Sequence, residues 1–406
     1  MRGPDEWSER GWLALAAALP VALGLVHHGL GHAGDIEFFH RWYETVRAGP
    51  SFYRDGPGLN YPIVGVLLVT GPSWLVERIL GHALSLEAYT LVLKATLIAG
   101  EIALLRLASA LARALGHARP RRLALLLHLL PSTWAGGAWF GQIDVWGTVF
   151  LVVAALGLAR YHAAPQWDAL ALALSGLVLA ALTKQLTWFA LPPLAAGLGL
   201  ALARHRIRAH QLCALLAPFA LVLPDFFLIL PEGHVSHLLF VLRHGSRHGE
   251  LVVASGASLW SLIAPGGTPS SAIVWLGFAS DTWGWLAFAA AALGIAALSS
   301  RRVDPRSAVL AAALLELAMA LFLTGVHERY LAHAIPLAVL ARGLGAPQPA
   351  GALTVAVGIL SGLFVLCSFS RWMPETFGHP APIALFTLAW ALALVHEHLR
   401  APSEAR

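Results

Sequence analysis

Ionisable side chains interrupt several long apolar stretches of this chain, where contact with lipid would be energetically costly. The decapeptide TGVHERYLAH places His327, Glu328 and Arg329 side by side between two such stretches. A guanidinium is permanently charged and binds a phosphate through two hydrogen bonds, and an imidazole can donate to a phosphate oxygen. The triplet therefore predicts an anion site, with Glu328 holding a neighbour in place. The alternative is an external salt bridge that contributes little stability.

Two carboxylates, Asp35 and Glu37, stand beside aromatic residues in the segment 34–62. A carboxylate at the edge of a membrane cavity acts as a general base when it reaches a substrate hydroxyl. The alternative is the acidic first turn of a helix, where the helix dipole favours aspartate. The pair would also suit a divalent cation, although nothing in the sequence requires one.

Two further polar positions fall at the ends of apolar segments. Asp144, in the motif WFGQIDVW, follows a glycine that permits a tight turn, and it fits either an outer cavity or a helix N-terminus. Lys184, in LTKQLTW, fits either a lipid phosphate or a side chain that snorkels to the headgroups. Lys94 and Glu101 lie seven residues apart on one face of a single apolar segment, and we interpret them as structural links between helices.

The stretch 231–260 is rich in histidine and carries two arginines four residues apart, Arg243 and Arg247. Neither a compact ligand spacing nor acidic support accompanies its histidines, which are His234, His237, His244 and His248. We therefore predict no metal and no cofactor, and we expect the arginines to face anionic headgroups or a pyrophosphate-type ligand.

The composition indicates which elements must position these groups. Hydrophobic residues make up 58% of the 406 residues and charged residues 12%, whereas a soluble domain carries roughly 25% charged residues. The net charge of +5 does not indicate nucleic-acid binding, because the basic residues cluster in short loops and form no continuous face. The chain is therefore predicted to be one all-α domain over residues 1–406, a polytopic transmembrane helical bundle.

A spanning helix needs about 20 apolar residues, which predicts about 12 spans here. They cover residues 12–31, 88–112, 122–138, 143–160, 168–184, 186–203, 210–230, 282–299, 307–325, 330–346, 351–368 and 381–396. The first of them is expected to be a retained span and not a signal peptide.

Basic loops decide the predicted orientation, because lysine and arginine concentrate in cytoplasmic loops. Three segments are strongly basic, and a cytoplasmic N-terminus places all three inside: 112–122, 204–210 and 299–306. This orientation requires that residues 61–80, which contain two prolines, lie as a juxtamembrane segment in the outer interface without spanning. The first loop, 32–87, and the region 231–281 are then extracytoplasmic. The same orientation brings a set of polar residues to the outer face, namely Asp35, Glu37, Gln142, Asp144, Lys184, Gln185, His327, Glu328 and Arg329.

Taken in chain order, these motifs resemble those of the GT-C superfamily of membrane glycosyltransferases, and within it the bacterial mannosyltransferases akin to GPI mannosyltransferases. The resemblance covers most of the chain. Asp35 is followed by aromatic residues, a glycine, Phe52–Tyr53 and Asn60–Pro62. The later elements follow in the same order as in the superfamily. FGQID at 140–144 corresponds to its W-G-Q-x-D turn, and TKQ at 183–185 to its T-K-P-Q element. SLW at 258–260 corresponds to its N-L-W element, and its HERY is intact at 327–330.

The chain departs from the pattern of this superfamily at four places. Phe140 stands where tryptophan is usual, Ser258 where asparagine is usual and Glu101 where aspartate is usual, and the proline after Lys184 is missing. The order of the remaining elements is kept, so the resemblance concerns the superfamily more than the identity of the donor or acceptor.

The resemblance implies a GT-C-like fold and a hexosyltransferase that inverts the anomeric configuration on the extracytoplasmic side. The donor would be a polyprenyl-phosphate hexose, with mannose preferred, and the acceptor a hydroxyl of a lipid, a glycan or a protein. Asp35 would be the catalytic base, and Lys184, His327 and Arg329 would bind the donor phosphate. Supporting roles fall to Glu37, Tyr61, Gln142, Asp144, Gln185, Glu328 and Tyr330.

Two other classes of protein compete with this interpretation. A transporter or lipid flippase would place paired charges deep in several spans and would show internal pseudo-symmetry. Lys94 and Glu101 favour it, whereas the concentration of charge at one face and the unlike halves of the chain do not. A scaffold subunit of a glycan assembly complex would have no need of Asp35. Only a short polar tail is expected after the last span, so the outer loops would bind the acceptor.

Overall fold

The computed structural model describes residues 9–26, 33–49, 61–205, 211, 251–252, 256–265, 267–300, 302, 304–327, 329–343, 349–368 and 380–400. Within these ranges the regular elements are α-helices, short 3-10 helices, one π-helix and a two-stranded antiparallel hairpin, Val274–Trp275 with Phe278–Ala279. The predicted all-α membrane fold is thereby confirmed. Six helices in the described ranges are long and apolar enough to cross a membrane, namely 63–80, 144–163, 280–299, 305–322, 349–366 and 381–400.

The first part of the chain forms the helices α1 (Glu9–Val26), α2 (Ala33–Ala48), α3 (Ile63–Leu80), α4 (Leu86–Ala114), α5 (Pro120–Leu129) and α6 (Pro131–Trp134). Helix α2 is amphipathic, because its apolar residues recur at helical spacing and are buried: Ile36, Phe39, Trp42 and Tyr43. This burial holds the N-terminal turn of α2, which carries Asp35, against the bundle.

The second part forms α7 (Asp144–Ala163), α8 (Trp167–Ala181), α9 (Leu191–Arg204), α10 (Ser280–Ser299), α11 (Pro305–Phe322), α12 (Ala334–Arg342), α13 (Pro349–Ser368) and α14 (Ala381–Arg400). Helix α11 is central, since every residue from 307 to 321 is buried. Helices α7 and α8 pack backbone against backbone, because Gly157 faces Ala173 and Gly176 faces Ala154. Small residues at such contacts permit the close approach that is typical of membrane helices.

Two of the predicted spans are wrong as single helices. In 122–138, α5 ends at Leu129 because Pro131 cannot continue it, and the chain passes through α6 into a π-helix at Ala135–Trp139. In 330–346, the described residues before Ala334 form turns, and Gly343, with φ of 80°, ends α12. The helices in 168–184 and 186–203 are also short, because a 3-10 turn at Gln185–Phe189 separates α8 from α9.

The predicted interfacial segment 61–80 forms one helix, α3, of 18 residues. Pro72 lies inside it without breaking it, and the helix is long and apolar enough to cross a membrane. A helix here agrees with the expected juxtamembrane helices, and membrane helices tolerate such a proline. The expectation that this helix lies in the interface without spanning stays a prediction. The extracytoplasmic placement of 32–87 and of 231–281 stays a prediction.

Two of the basic loops meet at one end of the bundle. His117 Nε2 lies 2.7 Å from the carbonyl oxygen of Leu340, and the guanidinium of Arg306 donates to the carbonyl of Leu115. The start of α7 lies well toward the other end, since the Trp146 indole donates to the Thr96 carbonyl at 3.0 Å. Eighteen residues of α4 separate Thr96 from Ala114, a distance of about 27 Å along the helix.

Candidate functional site

A tight turn between the π-helix and α7 places Gln142. Gly141 has φ of 100°, a conformation that favours glycine, as its predicted role in a tight turn requires. The turn packs on α2, because a Cβ at Gly141 would lie 3.3 Å from the Ile36 side chain. Gln142 itself is 1% exposed. The local backbone therefore directs a buried amide toward the start of α2.

Lys94 and Glu101 hold the segment that precedes this turn. The Lys94 ammonium donates to the carbonyl of Ala138 at 2.6 Å and to the carbonyl of Trp139. The backbone N–H of Ala138 donates to Glu101 Oε1 at 2.8 Å. Both side chains are buried and bind the backbone of the neighbouring segment, which agrees with their interpretation as links between helices. They support the turn and take no part in the cluster that it carries.

Gln142 connects the proposed base to the proposed phosphate-binding lysine. Its amide nitrogen donates to Asp35 Oδ2 at 2.5 Å. Its carbonyl oxygen accepts from the Tyr61 hydroxyl at 2.9 Å and from Lys184 Nζ at 3.4 Å. Asp35 lies in the first turn of α2, as its alternative interpretation expected, and remains partly exposed. One buried amide thus joins a partly exposed carboxylate to a buried ammonium.

Asp144 lies between two cations. Lys184 Nζ donates to Asp144 Oδ1 at 2.6 Å, and Arg329 Nε lies 3.6 Å from Asp144 Oδ2. The Asp144 side chain is 2% exposed, that of Lys184 6% and that of Arg329 12%, so solvent screens their charges weakly. Lys184 is therefore a buried ion-pair partner and does not snorkel, and Arg329 does not form an external loop salt bridge.

Burial controls the titration of the groups that face Gln142. It lowers the pKa of the Lys184 ammonium below its usual value, although the Asp144 carboxylate acts in the opposite direction. Burial also raises the pKa of the Tyr61 phenol well above its usual value, so this hydroxyl stays protonated and donates to Gln142. Two aromatic rings face the cations: Lys184 lies 5.3 Å from the Tyr61 ring and Arg329 lies 5.2 Å from the Phe140 ring.

The other predicted site residues lie around this cluster. Glu37 is exposed on α2, and Gln185 begins the 3-10 turn that follows Lys184. The rings of His327 and Tyr330 are 5.4 Å apart, and both residues are partly exposed. Glu328 falls outside the described residues. The structure thus brings together six of the predicted residues, namely Asp35, Tyr61, Gln142, Asp144, Lys184 and Arg329.

Two residues of the cluster were not predicted, Glu316 and His333. His333 Nε2 lies 3.2 Å from the Asp144 carbonyl oxygen, and its Nδ1 lies 3.7 Å from Glu316 Oε1. A signal for Glu316 was present, because a lone carboxylate in a long apolar segment marks a polar interior. His333 ends the decapeptide that carries the HERY motif.

The remaining sequence motifs lie either elsewhere in the fold or outside the described residues. The indole of Trp260, in the SLW element, donates to the carbonyl of Phe322 at 2.6 Å and so binds the last residue of α11. Residues 50–60 and the stretch with His234, His237, Arg243, His244, Arg247 and His248 fall outside the described residues. Among the residues that are described, no group of three or more histidines, cysteines or carboxylates is placed to hold a metal ion.

Comparison with known proteins gives matches among solved structures only. No family model and no curated protein matches the chain. The chain is similar to the apo oligosaccharyltransferase of Archaeoglobus fulgidus at a TM-score of 0.47 and 14% identity, covering 99% of this chain and 57% of that one. The same enzyme, tethered to an acceptor peptide with the NVT sequon, is similar at a TM-score of 0.45 and 13% identity, covering 98% of this chain and 56% of that one.

ArnT from Cupriavidus metallidurans, bound to undecaprenyl phosphate, is similar at a TM-score of 0.44 and 13% identity, covering 97% of this chain and 78% of that one. The chain thus spans little more than half of the length of the oligosaccharyltransferase. Because the three TM-scores lie below 0.5, we base the assignment of the site on this chain's own residues.

Proposed function

We propose that this membrane protein is a GT-C-type glycosyltransferase that moves a hexose, with mannose preferred, from a polyprenyl-phosphate donor to an acceptor hydroxyl. The observation that carries the proposal is the bridge formed by Gln142. The Gln142 amide nitrogen donates to Asp35, and its amide oxygen lies 3.4 Å from Lys184 Nζ. Lys184 pairs with Asp144, which also contacts Arg329. A group suited to accept a proton and groups suited to bind an anion therefore share one hydrogen-bonded cluster.

The charges of the cluster suit a phosphate. Around Asp144, Lys184 and Arg329 carry two positive charges, of which Asp144 offsets one. The Asp35 carboxylate lies on the other side of Gln142 and is partly exposed, so solvent screens its charge more strongly. The remaining positive charge is buried, where Coulombic attraction to an anion is stronger than in water. A guanidinium also presents paired donors that match phosphate oxygens. Binding of the donor phosphate at Arg329 and Lys184 would therefore satisfy the cluster.

The reaction follows from the position of Asp35. Its carboxylate takes the proton of the acceptor hydroxyl as the hydroxyl oxygen forms a bond to the anomeric carbon. The bond between that carbon and the phosphate oxygen breaks, and its electron pair leaves with the phosphate. Lys184 and Arg329 stabilise the charge that develops there. Because the displacement is direct, the anomeric configuration is inverted.

An apolar cavity supports a lipid-linked donor. It has a volume of about 820 Å³ and lies between α9, α10 and α11, with a lining dominated by apolar side chains. Its lining includes Trp188 and Phe189, which follow Lys184 closely in the chain, and Arg302 and Asp304 of a basic loop. A phosphate at Lys184 would place the isoprenoid chain of the donor in this cavity.

The location of the basic loops supports an extracytoplasmic site. The segments around His117 and Arg306 meet at the end of the bundle opposite to Asp144. Since lysine and arginine concentrate on the cytoplasmic side, the cluster would face the other side. Lys94 and Glu101, which favoured a transporter in the sequence, bind backbone atoms around Ala138, so we assign them to structure.

Transfer of radiolabelled mannose from polyprenyl-phosphate-mannose, in membranes with a broad acceptor extract, tests the proposal. We expect labelled product with the wild type and a fall of at least about 100-fold with Asp35→Asn, which removes basicity and keeps shape. Asp168→Asn is the matched control, because Asp168 also lies in the first turn of a helix, α8, but is exposed. Normal transfer by Asp35→Asn would exclude the assigned base. No transfer by the wild type from any polyprenyl-phosphate sugar would favour a transporter or a scaffold.

A further inference from the structure

We infer that Glu316 and His333 are positioning residues, a buried pair that fixes Asp144 relative to Lys184 and Arg329. His333 Nε2 lies 3.2 Å from the backbone carbonyl oxygen of Asp144, and Nδ1 lies 3.7 Å from Glu316 Oε1. This inference rests on the proposed function, because it assigns these two residues to the binding of the donor phosphate.

The hydrogen-bond chemistry determines the state of the His333 ring. The Asp144 carbonyl can only accept, so Nε2 carries a proton and donates it. Nδ1 then faces the Glu316 carboxyl group at 3.7 Å, a distance that allows electrostatic attraction but is longer than a hydrogen bond. The Asp144 carbonyl therefore selects the protonated Nε2, and the Glu316 carboxyl group lies on the opposite side of the ring.

Packing alone does not explain a carboxyl group at position 316. Glu316 is 0% exposed, in the buried stretch 307–321 of α11, and His333, just before α12, is 1% exposed. Burying a carboxylate is costly unless a partner satisfies it. The neighbours of Glu316 in α11 are Leu315 and Leu317, so an apolar side chain would suit the same helix. The carboxyl group is thus better explained by its contact with His333 than by the stability of the core.

Three segments that carry the anion-binding groups converge on this pair. Asp144 begins α7, Lys184 precedes a 3-10 turn, and Arg329 lies in the turns before α12. Gly147 of α7 permits the approach, because a Cβ there would lie 3.0 Å from His333 Nε2 and 2.8 Å from Thr187 Cγ2. The pair therefore lies where a small displacement of one segment would change the spacing of Asp144, Lys184 and Arg329.

Two substitutions of His333 separate the hydrogen bond from packing. His333→Gln keeps an N–H donor near the position of Nε2, whereas His333→Met has a similar volume and no donor. We expect His333→Met to weaken binding of polyprenyl phosphate, and to raise the KM for the donor, by about tenfold with a smaller change in kcat. His333→Gln should stay within about threefold of the wild type. Binding is measured on purified full-length protein with polyprenyl phosphate as the probe. The KM and kcat are measured on the same protein by transfer from polyprenyl-phosphate-mannose.

His117→Met is the matched control, because His117 Nε2 also contacts a backbone carbonyl, that of Leu340 at 2.7 Å, at the opposite end of the bundle. It should lower the thermal stability without a change in donor affinity. If His333→Met does not fold, Glu316→Met and Glu316→Gln take its place, and the methionine variant is expected to lose affinity.

The outcomes distinguish the two proposals. Equal donor affinities for the methionine and glutamine variants, in a wild type that binds polyprenyl phosphate, would overturn the positioning role alone. A wild type that neither binds polyprenyl phosphate nor transfers sugar would overturn the proposed function and this inference with it. A loss of donor affinity confined to the methionine variants supports both.

Discussion

The Gln142 amide nitrogen donates a hydrogen bond to Asp35 Oδ2 at 2.5 Å, although the two residues are 107 positions apart in the chain. The other end of the same amide accepts from Tyr61 and Lys184. Tyr61 remains a donor because burial keeps its phenol protonated, which fixes the orientation of the amide and directs its N–H groups toward Asp35. Gln142 therefore sets the direction of the carboxylate that would accept the proton.

Removal of this bridge should impair catalysis more than stability. Gln142→Met keeps the volume of the side chain and removes the hydrogen bond to Asp35, and we expect kcat for sugar transfer to fall at least about tenfold. Gln211→Met is the matched control, because Gln211 is also buried and its amide donates to the Pro165 carbonyl, away from the cluster. Equal kcat values for the two variants would contradict the role of Gln142.

Arg329 should contribute through the geometry of its guanidinium as well as its charge. Arg329→Lys keeps the charge and loses the paired donors, so we expect the KM for the donor to rise about tenfold. Arg342→Lys serves for comparison, because Arg342 pairs with Glu397 at 3.0 Å, where the basic loops meet. A donor KM unchanged by Arg329→Lys, measured in steady-state transfer assays, would remove Arg329 from the phosphate site.

The buried Lys184 predicts a loss of donor binding at alkaline pH. Burial lowers the pKa of its ammonium below the usual 10.5, so the positive charge is present at low pH and is lost as the pH rises through the lowered pKa. The charge of a phosphodiester donor is constant over this range, and affinity should therefore decline earlier than for an ordinary lysine. In Lys184→Arg the cation persists, and the decline should move to higher pH. The same alkaline decline in both proteins would assign it to another group.

Lys94 should act on stability through the turn that carries Gln142. Lys94→Met leaves the carbonyls of Ala138 and Trp139 without this donor, and each unsatisfied buried group costs about 1–3 kcal/mol. We expect a lower thermal unfolding temperature in detergent, with a parallel loss of transfer. Glu87→Gln, at an exposed position of the same helix, should leave the unfolding temperature and the transfer activity unchanged. A Lys94→Met protein with unchanged unfolding temperature would show that the turn does not depend on this contact.

Several features of this protein are determined by the sequence alone. Hydropathy is a local property, so the apolar segments predict a helical membrane protein without knowledge of packing. Ionisable residues are conspicuous in such segments, which is why Asp35, Asp144, Lys184 and Arg329 could be selected as candidates. The lone carboxylate of Glu316 carried the same signal, but its partner lies in a different segment and could not be identified from spacing.

Only the tertiary structure decided how these residues work together. The bridge from Asp35 through Gln142 to Lys184, the place of Asp144 between two cations and the contact of His333 with Glu316 all join distant segments. Helix packing creates such contacts, and no periodicity in the chain encodes them. Packing also decided the course of the buried segment between α6 and α7, because its backbone groups at Ala138 are satisfied by side chains from another helix, Lys94 and Glu101.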